Sequence, residues 1–172
     1  MILPFSTQLN GKPTYFVEKI HSGLLQNDLL QGFDLGHEHE FDLDKLCSCE
    51  PKLHTIREDK NNRWKSGNNI HFFINNRTKN AFQFAPVLPV VSVQKVEIEY
   101  LFKTDEEKEV CVCIDSVPRA VVRIYHGKVT SCSAGIVRKL AQNDGFDTIE
   151  DFLAYFNEDF TGKIIHWTDL RY

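Results

Sequence analysis

The chain has 172 residues, 42% of them apolar and 26% charged, values of an ordinary globular protein large enough to bury one core. The formal net charge of −4 argues against a protein that coats nucleic acid nonspecifically. No apolar run approaches the roughly 20 residues of a membrane span, and Met1 to Phe5 lacks the basic and long apolar regions of a signal peptide, so a cytoplasmic location is expected.

In chain order, the first predicted element is a helix over 16–24, with Phe16 or Val17, Ile20 and Leu24 at helical spacing and Gly23 near its end. Residues 25–50 are rich in Gly and acids with little periodicity and read as an insertion, a candidate flap. The run Lys52-Leu53-His54-Thr55-Ile56-Arg57 follows. As a strand it puts Leu53, Thr55 and Arg57 on one face and Lys52, His54 and Ile56 on the other, unless a turn at its start swings Lys52 toward Thr55. An amine beside a hydroxyl is one of the few pairings that makes threonine nucleophilic. A solvated basic edge strand is the plainer reading of the same spacing.

Strands are predicted over 69–74 and 81–87, joined by a polar turn at 77–80. In 90–102 the apolar parity switches from Val91 and Val93 to Val96, Ile98 and Tyr100, which predicts a bulge near Gln94. After a charged turn at 103–108, residues 109–115 and 120–126 read as a hairpin across Ser116-Val117-Pro118-Arg119. Ile136, Val137, Leu140 and Ala141 mark one helix. Ile149, Phe152, Leu153 and Phe156 mark another, starting at Asp147 with Glu150 as a capping-box partner. Gly162 to Thr168 is the last strand, with Trp167 toward the core and His166 toward the surface. The 13 Phe residues predict an aromatic core. Numerous short strands with a few helices predict a single α+β domain, a mostly antiparallel barrel.

Residues 52–65 hold Lys52, Arg57, Lys60, Arg63 and Lys65 against Glu58 and Asp59. A local basic patch on an acidic protein suits a discrete anionic ligand better than a long phosphate track. Arg57 offers a planar fork and Trp64 a stacking surface, although a Trp ahead of a strand is more often core. His54, Arg63 and Lys65 are candidates for the mouth of a pocket, and His71 is placed against solvent or a neighbouring strand. Five cysteines lie at 47, 49, 111, 113 and 132, with His37 and His39 upstream. Cys-x-Cys is not the usual zinc spacing, so free thiols are expected, and no metal or cofactor.

Four segments occur in order: Phe16 to Gly23, Lys52 to Arg57 with Asp59, Arg63-Trp64-Lys65-Ser66-Gly67, and Asn143-Asp144-Gly145-Phe146. Together they resemble the ASCH superfamily, small β-barrels related to the PUA RNA-binding domain, and the layout is similar to proteins of phages and prophages. The resemblance implies a PUA-like barrel, to which the 104–128 hairpin and the 25–50 insertion are additions. It also implies recognition of a modified nucleoside or a short single-stranded nucleic acid. In ASCH proteins that hydrolyse N4-acetylcytidine a lysine, a threonine and a glutamate act together. Carried over, Thr55 would attack the acetamide carbonyl, Lys52 would take its proton, and Asp144 would orient the amine or protonate the leaving nitrogen. Asp144 stands where those proteins have glutamate, one methylene longer. Glu97 and Glu99 are reserve candidates for the acid. A third reading is a phage accessory protein that docks a host protein through the 109–126 hairpin.

Overall fold

The computed structural model describes residues 1–9, 11–31, 42–130 and 135–172. His37, His39 and Cys132 lie outside them. Twelve strands and four helices appear in the order β1 (Ile2–Phe5), β2 (Gln8–Leu9), β3 (Lys12–Pro13), α1 (Phe16–Gln26), α2 (Leu43–Ser48), β4 (His54–Arg57), β5 (Asn69–Ile74), β6 (Phe82–Gln83), β7 (Leu88–Pro89), β8 (Ser92–Lys103), β9 (Glu107–Ile114), β10 (Val117–Tyr125), β11 (Lys128–Val129), α3 (Gly135–Asn143), α4 (Ile149–Tyr155) and β12 (Phe160–His166). The fold is α+β with mostly antiparallel strands, and one sheet curls into a half-barrel.

That sheet is six-stranded, in the order β11-β10-β9-β8-β12-β4, antiparallel throughout. Strict alternation sends Val96 and Ile98, Val110, Val112 and Ile114, and Val122 and Ile124 to one face. There α3 and α4 cover them with Val137, Leu140, Ile149, Phe152 and Phe156. The predicted hairpin is therefore central to this sheet. Its turn is Asp115-Ser116, both at positive φ, a two-residue connection matched to strand twist, while Val117 and Pro118 already belong to β10.

A second core lies on the other side of β12. It is built by β1 and β5, which pair in parallel, by α1, and by Phe5, Phe72, Phe84 and Trp167, with Phe72 and Trp167 rings 5.2 Å apart and edge-on. β12 sends Ile164 into the first core and Ile165 into the second. The same division explains the parity switch in 90–102. Val93 packs on the second core and Val96 on the first, so no bulge is needed at Gln94. The bulge sits further on, where Leu101 is skipped between Tyr100 and Phe102.

Other boundaries shift modestly. α1 extends to Gln26, and Gly23 is interior to it. The 81–87 strand shrinks to Phe82–Gln83. α4 is capped by Thr148, whose hydroxyl accepts from the Asp151 N–H, while Glu150 accepts from the Val129 N–H. His166 is fully buried rather than superficial, because the ring lies between β4 and β8 against His54 and Tyr172. No helix among the described residues is long and apolar enough to cross a membrane.

Candidate functional site

β4 is the last strand of its sheet, and its free edge would expose N–H groups to water. Two helices take them up instead. The Lys52 N–H donates to Lys19 O on α1 at 2.9 Å, and the Leu53 N–H donates to Asn143 O at the end of α3, also 2.9 Å. The Ile56 N–H donates to the Asp144 carboxylate at 3.1 Å. Close approach needs glycine at two points. A Cβ on Gly23 would lie 2.8 Å from Lys52 O, and Gly145, at φ +92°, would meet the Phe16 ring at 2.8 Å and Lys52 Cδ at 3.0 Å. Gly145 also ends α3, with its N–H bonded to Gln142 O, so the turn carrying Asp144 is an ordinary helix C-terminus put to a second use. Lys19 pins that turn from α1, donating to Gly145 O at 2.8 Å and to Asp147 Oδ1 at 2.6 Å.

This scaffold delivers Lys52 to Asp144 across ninety residues of sequence. Lys52 precedes β4, so its side chain is free of the strand alternation and reaches Asp144 Oδ1 at 2.6 Å and the Asp144 carbonyl as well. Both residues are buried, and the ammonium lies 4.8 Å from the centre of the Phe16 ring. Thr55 stands beside them in a hollow that also involves Ser6, Leu9, Phe16, Ile56, Arg57, Phe146 and Tyr155. Its hydroxyl has no hydrogen-bond partner among the described residues. The hollow measures about 40 Å³. One water occupies about 10–15 Å³ on this measure, so the space holds two or three waters, a notch for a substituent rather than a seat for a whole heterocycle.

Larger hollows open on either side. One of about 230 Å³ shares Leu9, Phe16, Phe146 and Tyr155 with the notch and adds Lys12, Asp147 and Asp151. The other, about 380 Å³, shares Ile56, Arg57 and Tyr155 and adds Glu58, Glu158 and Asp159. The notch thus lies at the middle of a trough.

Burial dominates the electrostatics. It pushes the Lys52 ammonium down to about 8 against the upward pull of Asp144, with Arg57 and Lys19 adding to the fall. Burial likewise raises the Asp144 carboxyl, opposed by Lys52. Desolvation drives both toward their neutral forms. At pH 7 roughly a tenth of Lys52 is then unprotonated, enough to serve as a base.

The structure brings together Lys52, Thr55, Asp144 and Arg57. The Arg57 fork is partly engaged, donating from Nη2 to Pro4 O at 2.8 Å and lying 5.3 Å over the Phe5 ring, while its buried Nε has no partner among the described residues. The other candidates lie elsewhere in the fold. Trp64 is 5% exposed and belongs to the second core, because Asp59 accepts the N–H groups of Arg63 and Trp64 at 2.9 Å and turns the indole inward. Arg63 and Lys65 are exposed on that turn and line none of the three hollows. His54 points away from the notch and bonds Tyr172 Oη at 2.8 Å. Glu97 and Glu99 face outward across from Cys113 and Cys111, and Glu97 pairs with Lys95. His71 is half-buried beside Gln83. The aromatic wall of Phe16, Phe146 and Tyr155 has no signature in the sequence as a wall, since its members come from three elements. Among the described residues no three His, Cys, Asp or Glu are grouped to hold a metal.

Fold and site define an α+β protein with a buried amine–carboxylate pair next to a free hydroxyl at a sheet edge. No family model, no curated protein and no solved structure matches the chain.

Proposed function

We propose that this chain is a PUA-like domain of the ASCH kind that recognises a modified nucleobase at the notch of Lys52, Thr55 and Asp144. The observation that carries the reading is the unengaged Thr55 hydroxyl beside a fully buried amine–carboxylate pair, in a notch that opens onto an aromatic hollow. Buried polar groups are normally paired with each other, and a hydroxyl left available beside such a pair fits a ligand's polar substituent. The heterocycle would lie in the 230 Å³ hollow against Phe16, Phe146 and Tyr155, with its exocyclic group in the notch. Glu58, Glu158 and Asp159 around Arg57 oppose a long phosphate chain, which favours a free nucleoside or a very short strand.

A second reading, hydrolysis of an N4-acetylcytidine-type amide, is favoured by the lowered Lys52 amine. Neutral Lys52 would take the Thr55 proton as Oγ1 attacks the acyl carbon; the proton would pass to N4 as the C–N bond breaks and cytidine leaves, and water would then cleave the Thr55 ester to release acetate. Asp144 still reaches Lys52 at 2.6 Å despite lacking the extra methylene.

A thermal-shift screen of modified nucleosides tests recognition. A ligand at a hundred times its Kd adds about 2.7 kcal/mol of stability. If no nucleoside raises the melting temperature, the recognition reading fails. Incubation with N4-acetylcytidine then separates binding from turnover: product that disappears in Thr55→Ala supports hydrolysis. Binding without product, lost in Arg57→Ala, leaves a recognition module.

A further inference from the structure

Behind the notch, on the side away from ligand, lies a buried polar cluster that the proposed function does not use. His54 is fully buried, and Tyr172 closes over it. Tyr172 is itself fastened by Gln94, whose side-chain oxygen accepts the Tyr172 N–H at 2.9 Å and whose amide donates to Tyr172 O at 3.0 Å. The phenol oxygen has three neighbours: Asn143 Nδ2 at 2.7 Å, His54 Nε2 at 2.8 Å and Lys139 O at 3.5 Å. The asparagine amide donates to that oxygen, so the single phenol proton is left for one of the other two. His54 Nε2 is the nearer acceptor by 0.7 Å, well inside normal hydrogen-bond length, whereas the carbonyl is at its limit.

An imidazole that accepts at Nε2 carries its proton on Nδ1 when neutral. Burial keeps His54 neutral, and the charge of Lys52 works in the same direction. Its Nδ1 is buried, has no hydrogen-bond partner among the described residues, and lies 3.9 Å from Asp144 Oδ1. That oxygen already takes Lys52 Nζ and the Ile56 N–H. All three donors therefore gather at Oδ1, and Oδ2 is left without a partner among the described residues, in a residue that lines the notch.

We propose that Tyr172 and His54 form a positioning relay for Asp144: Tyr172 fixes the Nδ1–H tautomer of His54, and that N–H holds Oδ1 so that Oδ2 faces the ligand. The relay rests on the reading of Asp144 as a ligand-facing group. At 3.9 Å the Nδ1–H acts as an oriented dipole, a contact of the kind that tightens when a ligand fills the site. His54 touches no ligand. It acts through Asp144.

The test is the tautomer, read by long-range proton–nitrogen NMR of His54 in the unliganded protein at pH 7. Nδ1–H is expected in the wild type, moving to Nε2–H or a mixture in Tyr172→Phe, which removes the proton that Tyr172 donates to Nε2. In His54→Gln the Asp144 carboxyl, followed by its carbon shift, should titrate on the order of one pH unit higher, since it loses a favourable dipole. Lys52, just before β4, and Arg57 from β4 face the same carboxylate, and Lys19 from α1 acts on Lys52; all three stay in place in that comparison, as does His166 from β12 behind His54. Nε2–H in the wild type overturns the relay by itself, even if neither variant folds. So does an unchanged tautomer in Tyr172→Phe. None of these readouts needs a ligand, so a nucleoside screen can fail while the relay stands, and the reverse.

Discussion

Gly23→Ala asks whether α1 really holds the loop that carries Lys52. In the interior of a helix alanine is favoured over glycine by about 1 kcal/mol, so a sequence-based argument expects a more stable protein. The structure expects the reverse. The new Cβ would sit 2.8 Å from the backbone oxygen of Lys52 and 3.0 Å from Leu53 Cδ2. Ordinary contact begins near 3.4 Å, so helix and loop must part by on the order of 0.5 Å. The Lys52 backbone is held on both sides, by Lys19 O and through Leu53 by Asn143 O, and cannot move alone. Overpacking of this kind costs about 1–3 kcal/mol, which offsets the helical gain and leaves a net loss of up to about 2 kcal/mol. Gly135, at the start of α3, is the control, because nothing lies within 4 Å of its would-be Cβ. Gly135→Ala should be neutral or stabilising by up to about 1 kcal/mol. Urea denaturation of the three proteins gives the comparison. If Gly23→Ala were as stable as Gly135→Ala, the packing of α1 on the Lys52 loop would be wrong.

Lys52→Met should change the pH dependence of stability in a defined window. The Lys52 amine is lowered from 10.5 to about 8 in the folded state, so between those values the unfolded chain binds the extra proton and wild-type stability rises with pH. Relative to Lys52→Met, the wild type should gain about 3 kcal/mol from pH 8 to pH 10.5, and parallel denaturation curves across that window would contradict the buried amine. Trp64→Phe should cost about 1–3 kcal/mol from lost core packing while leaving ligand affinity unchanged, as measured by calorimetry on the folded variant; a large affinity loss would return Trp64 to the site. Thr55→Val, which keeps size and branching, should leave stability within about 1 kcal/mol, since the hydroxyl it removes has no partner among the described residues, and a larger loss on thermal melting would mean that the hydroxyl is structural.

Local pattern carried much of the fold. The apolar spacing of Ile136 to Ala141 and of Ile149 to Phe156 predicts α3 and α4, and the alternation in 109–126 predicts the β9–β10 hairpin, because helices and half-buried strands write their period into neighbouring residues. The pairing of β1 with β5 left no such trace. A parallel ladder joins residues about seventy positions apart, and Ile2 to Phe5 alone is too short to declare itself. The 90–102 stretch misled for a related reason: a strand shared by two cores alternates toward both, which looks like a slipped register when only one core is assumed.

The site divides along the same line. Residue chemistry marked Lys52, Thr55 and Arg57 as a group, since they sit within six positions of one another. Asp144 was suggested by a resemblance of motifs, and its juxtaposition with Lys52 comes from the turn after α3 covering the edge of β4. Which way Trp64 and His54 face was decided by neighbours distant in sequence. Asp59 turns the indole into a core filled by Phe72 and Trp167, and Tyr172 draws the imidazole away from the notch. The amino-acid sequence by itself determined the periods, turns and reactive groups, because those depend on residues a few positions apart. Tertiary structure alone decided which groups meet in the dry interior, where burial rather than sequence spacing pushes Lys52 and Asp144 toward their neutral forms.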